Sequence, residues 1–262
     1  MNLELQNRHV FIAGASRGIG LGMARAFAAE GAKVAMAARG VEALDAARDA
    51  LIAEGVKAEN LFTVAGDMTA SADIAVALDA AEAKLGPLHC AIANVGLSRA
   101  PLGFDVSDED WEADMKQNLF GSVWLGREAL RRILSRPAAE REGANLIFIS
   151  SIAGVDAMGT ALTYAASKAA INHQTRQLAR FVGKEGIRVN AIAPGNILFE
   201  GGVWDRNTKD RPEAWERWIK REVALRRFGT VEEIADAALY LASSRASFVT
   251  GEVLVVDGGQ VR

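Results

Sequence analysis

The sequence predicts an α/β fold with a doubly wound parallel sheet of about seven strands. Three observations predict it. Short runs that are apolar throughout alternate with Ala-rich segments of helical period along the whole chain, and strands without a polar face belong to sheets covered on both sides. Each step between strands leaves room for a crossover helix, which is right-handed in nearly all parallel units. A glycine-rich turn follows the first apolar run, where sheets of this kind open a ligand crevice.

The elements follow in order. HVFIAG precedes the helical GMARAFAAEG, KVAMAA precedes VEALDAARDALIAEG, and LFTVA precedes ADIAVALDAAEAKLG. LHCAIAN leads to DEDWEADMKQNLFGSVWLGREALRRIL, and NLIFIS to TYAASKAAINHQTRQLARFVGKEG. IRVNAIAP, a helix from VEEIA to YLASS, and EVLVVDGG complete the alternation. Gly31, Gly55 and Gly86, the last followed by Pro87, mark helix C-termini, because glycine readily takes the left-handed conformation that ends a helix. One stretch breaks the rhythm. Residues 196–228 carry Trp204, Trp215 and Trp218, three of the five tryptophans. A long insertion after a strand is expected to act as a lid over the crevice, or as a helical pair packed on the body.

A chain of 262 residues, half of them hydrophobic, supports one substantial core and a single domain spanning 1–262. With 33 acidic and 30 basic side chains and a net charge of −3, no global field favours nucleic acid or an anionic membrane. The first residues lack the basic and apolar regions of an export signal, and no apolar run reaches membrane-spanning length, so a cytoplasmic protein is expected. Cys90 is the single cysteine, which excludes internal disulfides and multi-Cys metal sites. His9, His89 and His173 form no ligand pattern, and no metal is expected.

In AGASRGIGLG, Gly14, Gly18 and Gly20 fall at the first strand-to-helix turn. Glycines there let the backbone, with Ser16, Arg17 and Ile19, approach a pyrophosphate at a helix N-terminus. No G-K-[ST] follows, so a phosphoryl-transfer loop is not indicated. The second strand ends at Ala38 and Arg39 rather than at a carboxylate that would grip the ribose hydroxyls. Arg39, aided by Arg17, suits a 2′-phosphate, so NADP(H) is expected in preference to NAD(H), which stays possible. Asp67 and Met68 are placed at the adenine edge, and Asn94 and Gly96 beneath the cofactor, although turn chemistry alone also favours Asp and Asn there.

Adding Asn118, Ser151, Tyr164-x-x-x-Lys168 and Pro194-Gly195 with Ile197, the chain resembles the short-chain dehydrogenase/reductase family over essentially its whole length. Within it the chain is similar to the NADP-dependent 3-oxoacyl-acyl-carrier-protein reductases. The resemblance implies that Tyr164 is the general acid/base, that Lys168 lowers its pKa and holds the nicotinamide ribose, and that Ser151 steadies the carbonyl oxygen. It implies that Asn118 anchors a proton relay, that Pro194, Gly195 and Ile197 hold the cofactor, and that the substrate is a small carbonyl or alcohol. It also implies a homotetramer or homodimer. A tyrosine that ionises near pH 10 does need such help to act at neutral pH. Ser151 is preferred over Ser150, for which a structural role is expected. The sequence departs from the family at Ala13, Ala93 and Val95, and at Phe199, where a threonine that bonds the nicotinamide carboxamide is common. Phe199 and the three tryptophans suggest a partly apolar pocket, and Arg99 with Arg206 an anion contact.

Overall fold

The structure is a computed structural model that describes residues 2–97 and 100–261. The seven apolar runs are the seven strands: β1 (His9–Ala13), β2 (Lys33–Ala38), β3 (Leu61–Ala65), β4 (Leu88–Ala93), β5 (Asn145–Ile149), β6 (Arg188–Pro194) and β7 (Val253–Val256). They form one parallel sheet in the order β3-β2-β1-β4-β5-β6-β7. The order reverses between β1 and β4, which opens a crevice above their carboxyl ends.

Alternation along each strand divides the core into two layers. Phe11 and Ala13 of β1 face a layer shared with α3 (Ser71–Leu85), the C-terminal helix of the following pair, α5 (Gly121–Ser135), and α6 (Leu162–Val182). Val10 and Ile12 face the opposite layer, built on α1 (Gly18–Ala29), α2 (Val41–Ala53) and α9 (Val231–Ala242). On this side Gly22 lets α1 approach α9, since a Cβ there would lie 2.9 Å from the Cβ of Val231. Gly31, Gly55 and Gly86 all have positive φ just past their helices, as their sequence positions predict.

The long helix expected between β4 and β5 is continuous but winds through a π turn. It consists of α4 (Asp108–Met115), a π turn over Lys116–Phe120, and α5. Residues 196–228 form α7 (Val203–Asp210) and α8 (Pro212–Glu222). Their base is pinned by two backbone hydrogen bonds, Gly229 N to Asn196 O and Leu198 N to Gly229 O, both 2.9 Å. Beyond it, Thr230 and Glu233 form a capping box on α9, and Arg227 is paired to Glu233. Trp204 contacts Trp215, Trp218 and Phe228 with ring centroids 5.2–5.5 Å apart, which makes the insertion a small aromatic cluster. Among the described residues, no helix is long and apolar enough to cross a membrane.

At the opposite end of the sheet His9 is 2% exposed, and its Nδ1 donates to the Gly86 carbonyl at 2.8 Å. Burial first, then nearby Lys33 and Arg136, push its pKa from 6.5 down to about 4. The unfolded chain therefore binds a proton that the folded chain rejects. Stability is full above pH 6.5 and falls as pH drops towards 4, with His9 contributing up to about 3 kcal/mol. Urea midpoints should fall between pH 7.5 and pH 5, and His9→Asn should flatten that fall; an unchanged slope in the variant would contradict the assignment.

Candidate active site

The glycine turn is built by the strands beneath it. Gly14 donates to Ala37 O of β2 at 2.7 Å, and Asn94 Nδ2, at the end of β4, donates to Gly14 O at 3.0 Å. Gly14 and Gly18 have φ of +76° and +56°, which glycine adopts without strain. A Cβ on Gly20 would lie 2.0 Å from Gly14 O. These absent side chains leave the N-terminus of α1 open, and Arg17 at its N-cap makes no side-chain cap. The residues present therefore fit a dinucleotide pyrophosphate.

One cleft of about 720 Å³ runs from this turn in both directions. Gly14, Ser16, Arg17 and Ile19 line its middle. Arg39, Asp67 and Met68 line one end, with Ala38, Gly40 and Gly66. Asn94 and Gly96, then Ser151, Tyr164 and Lys168, line the other, faced by Pro194, Gly195 and Ile197. Gly18, Gly20 and Asn118 stand behind this surface and shape it. The Asp67 carboxylate turns into its own loop, accepting from Thr69 N at 2.9 Å and Thr69 Oγ1 at 2.8 Å. Partial burial raises its pKa, but these bonds and the nearby Arg39 and Lys116 outweigh it and hold the pKa below the ordinary value.

At the other end Ser151 and Tyr164 stand side by side, close enough for the serine hydroxyl to lower the pKa of the phenol. Ser151 Oγ accepts from Ala153 N at 3.2 Å, which fixes its hydroxyl at the start of a short 3₁₀ turn. Ser150 instead donates to Lys168 O at 3.2 Å, the structural role expected of it. Lys168 is 2% exposed; its Nζ donates to Ile149 O at 2.9 Å and lies 5.6 Å from the Tyr164 ring centroid. Burial lowers its pKa to about 8. The phenol differs from the expectation that Lys168 lowers its pKa. Burial raises it, the Ser151 hydroxyl opposes the rise, and the Asp114 carboxylate adds to it. Burial and Asp114 together outweigh the effect of Ser151 and hold the phenol above its ordinary value.

Asn118 is fully buried in the π turn. Its Nδ2 donates to Asp114 O at 3.0 Å, and it clamps Leu97 both ways, accepting from N at 2.8 Å and donating to O at 2.9 Å. It thus braces the π turn and holds the cleft wall at once. Phe199 covers the glycine turn: a Cβ on Gly18 would lie 2.6 Å from its ring. Trp204 and Arg206 line the cleft, whereas Trp215 and Trp218 meet Trp204 in the aromatic cluster. Arg99 lies outside the described residues.

Sequence reasoning missed Asp114 and Thr163. Asp114, 5% exposed, accepts a 2.6 Å hydrogen bond from Thr163 Oγ1, directly before Tyr164. The available signal was spacing: Asp114 lies four residues before Asn118, and Thr163 four before Ser167, on shared helix faces.

Comparison with known proteins gives this geometry its family. The family described as Enoyl-(Acyl carrier protein) reductase matches residues 14–260. Gluconate 5-dehydrogenase of Gluconobacter oxydans is 33% identical, covering 98% of this chain and 95% of its own. The 3-oxoacyl-acyl-carrier-protein reductase of Chlamydia muridarum is 37% identical, covering 99% of both. The crystal structure of L-sorbose reductase from Gluconobacter frateurii, complexed with NADPH and L-sorbose, superposes with a TM-score of 0.88 at 28% identity, covering 100% of this chain and 99% of that one. With the parallel sheet, the glycine turn and the Ser151–Tyr164–Lys168 cluster in one cleft, the chain belongs to the short-chain dehydrogenase/reductase family and is an oxidoreductase of alcohols and ketones.

Proposed function

We propose that the protein is an NADPH-dependent reductase that converts a ketone to a secondary alcohol, reversibly. The observation that carries this reading is the juxtaposition of Ser151, Tyr164 and Lys168 at one end of a cleft whose other end carries Arg39. Burial and Asp114 keep the phenol protonated, which suits a proton donor and favours the reductive direction at neutral pH. The solved L-sorbose reductase complexed with NADPH supports the same cofactor.

When bound, the dinucleotide supplies the hydride. Gly14, Ser16, Gly18, Ile19 and Gly20 would hold its pyrophosphate, Arg17 and Arg39 its 2′-phosphate, and Asp67 and Met68 its adenine. Asn94, Gly96, Lys168, Pro194, Gly195 and Ile197 would hold the nicotinamide half. Ser151 and Tyr164 donate to the substrate carbonyl oxygen and stabilise the negative charge that grows on it. Tyr164 then releases its proton to that oxygen. Lys168, with its charge held close to the phenol, stabilises the phenolate left behind. Asn118 keeps Leu97 and Gly96 in place beneath these groups. In the reverse direction the phenolate takes the proton of the alcohol.

Residues 196–228 serve as the lid, hinged where Asn196 and Leu198 bond Gly229. Phe181 and Phe248, exposed on the single chain, support assembly as a homotetramer or homodimer, and the near-neutral charge suits the cytoplasm.

Tyr164→Phe is expected to retain NADPH binding, read by tryptophan quenching, and to lose about 100-fold or more in kcat; a variant with parental turnover would contradict the acid/base role. Arg39→Asp should raise the Kd for NADPH about 10-fold or more while sparing NADH. Equal losses for both cofactors would count against the 2′-phosphate assignment.

A further inference from the structure

Phe199 stands where two glycines leave room for it. A Cβ on Gly18 would lie 2.6 Å from its Cε2 and 2.8 Å from its Cζ, and a Cβ on Gly202 would lie 3.1 Å from the same two atoms. One edge of the ring therefore meets both the first residue of α1 and the N-cap of α7. The protein alone sets this fit. Leu198, the preceding residue, donates from its backbone N to Gly229 O at 2.9 Å, and Phe199 O accepts from Gly202 N at 3.0 Å. The ring also packs against the core layer that holds α1 and α9.

Phe199 lines the cleft together with Gly14, Ser16, Arg17 and Ile19. These residues surround the open end of α1, whose first N–H groups have no partner within the helix. An anion held there gains from any neighbour that keeps water away, because charge and dipole interact more strongly in a medium of low polarity. An aromatic ring can do this without repelling the anion, since its C–H edge carries a partial positive charge.

From this arrangement we infer that Phe199 is a clasp for the diphosphate of the bound dinucleotide, its ring closing over the bridge between the two halves of the molecule and slowing its departure. The inference rests on the dinucleotide reading above and deepens it, whichever dinucleotide is preferred. The ring bears no charge, so it adds nothing to the long-range attraction that brings the ligand in. It acts on release. NADPH and NADH share the diphosphate, so the clasp contributes equally to both and leaves the choice between them to Arg39 at the far end of the cleft.

The test compares the parent with Phe199→Ala and Phe199→Leu, using NADPH, NADH and ADP-ribose, which keeps the diphosphate but lacks the nicotinamide. Stopped-flow fluorescence gives the rates for the two nucleotides, and calorimetry gives the Kd for ADP-ribose. In Phe199→Ala the release rates of NADPH and NADH should both rise about 10-fold with association unchanged, and the Kd for ADP-ribose should rise by the same factor. Phe199→Leu covers less of the turn but keeps the packing, and should raise release about 3-fold, so the clasp stays open to refutation even if the alanine variant fails to fold. Unchanged release in the folded variants would overturn it. So would a loss for the two nucleotides that is absent for ADP-ribose, which would put the ring at the nicotinamide instead. Slower association at constant release would also overturn it, by making Phe199 a brace that shapes the turn before any ligand arrives. A parent that binds none of the three probes would sink the dinucleotide reading, and this inference with it.

Discussion

The site depends on a backbone position that carries no side chain. A Cβ on Gly96 would lie 2.9 Å from Lys168 Nζ and 3.2 Å from Asn118 Oδ1. Because hydrogen stands there, a buried ammonium and a buried amide approach the same stretch of chain from two helices. Lys168 reaches Ile149 O past it, and Asn118 closes on Leu97 beside it. Each polar group thereby finds a backbone partner, which a buried group requires if its desolvation is to be offset. The Ser151–Tyr164 pair rests on this packed floor.

Most of this architecture was readable from the residue pattern. Strands such as VFIA and CAIA have no polar face, so only a sheet covered twice accommodates them, and the seven-stranded parallel sheet bears this out. The glycine turn was legible because its chemistry is that of absence, and absences show directly in a sequence. What stayed hidden arises from contacts between distant segments. The π turn at Lys116–Phe120 carries no breaker residue. Its stability comes from Asn118 bonding both Asp114 O and Leu97, and helical period alone cannot report that. The direction of the Tyr164 shift was hidden for the same reason. Four-residue spacing announces that Lys168 is near, whereas burial and Asp114, brought from another helix, decide the outcome.

The departure at Phe199 also takes its meaning from the fold. Where the family commonly places a hydroxyl, this chain places a ring against Gly18 and Gly202. A polar anchor is replaced by apolar contact between the insertion and the glycine turn. The backbone bridge from Asn196 and Leu198 to Gly229 holds the near end of the insertion, and the tryptophan cluster makes the remainder one compact unit. The insertion and the glycine turn therefore meet through the Phe199 ring.

The π turn has a further consequence for how this chain tolerates changes in length. A π turn advances the same axial distance as an α-helical turn with one extra residue. Removing one residue of Lys116–Phe120 restores regular winding while leaving α4 and α5 close to their present orientation, because the extra residue is absorbed within a single turn. Asp110 and Asp114 would keep their place on the cleft, whereas the clamp of Asn118 on Leu97 would be lost with the turn that carries it. The extra residue thus sets the reach of one amide and leaves the helix faces on either side of it as they are.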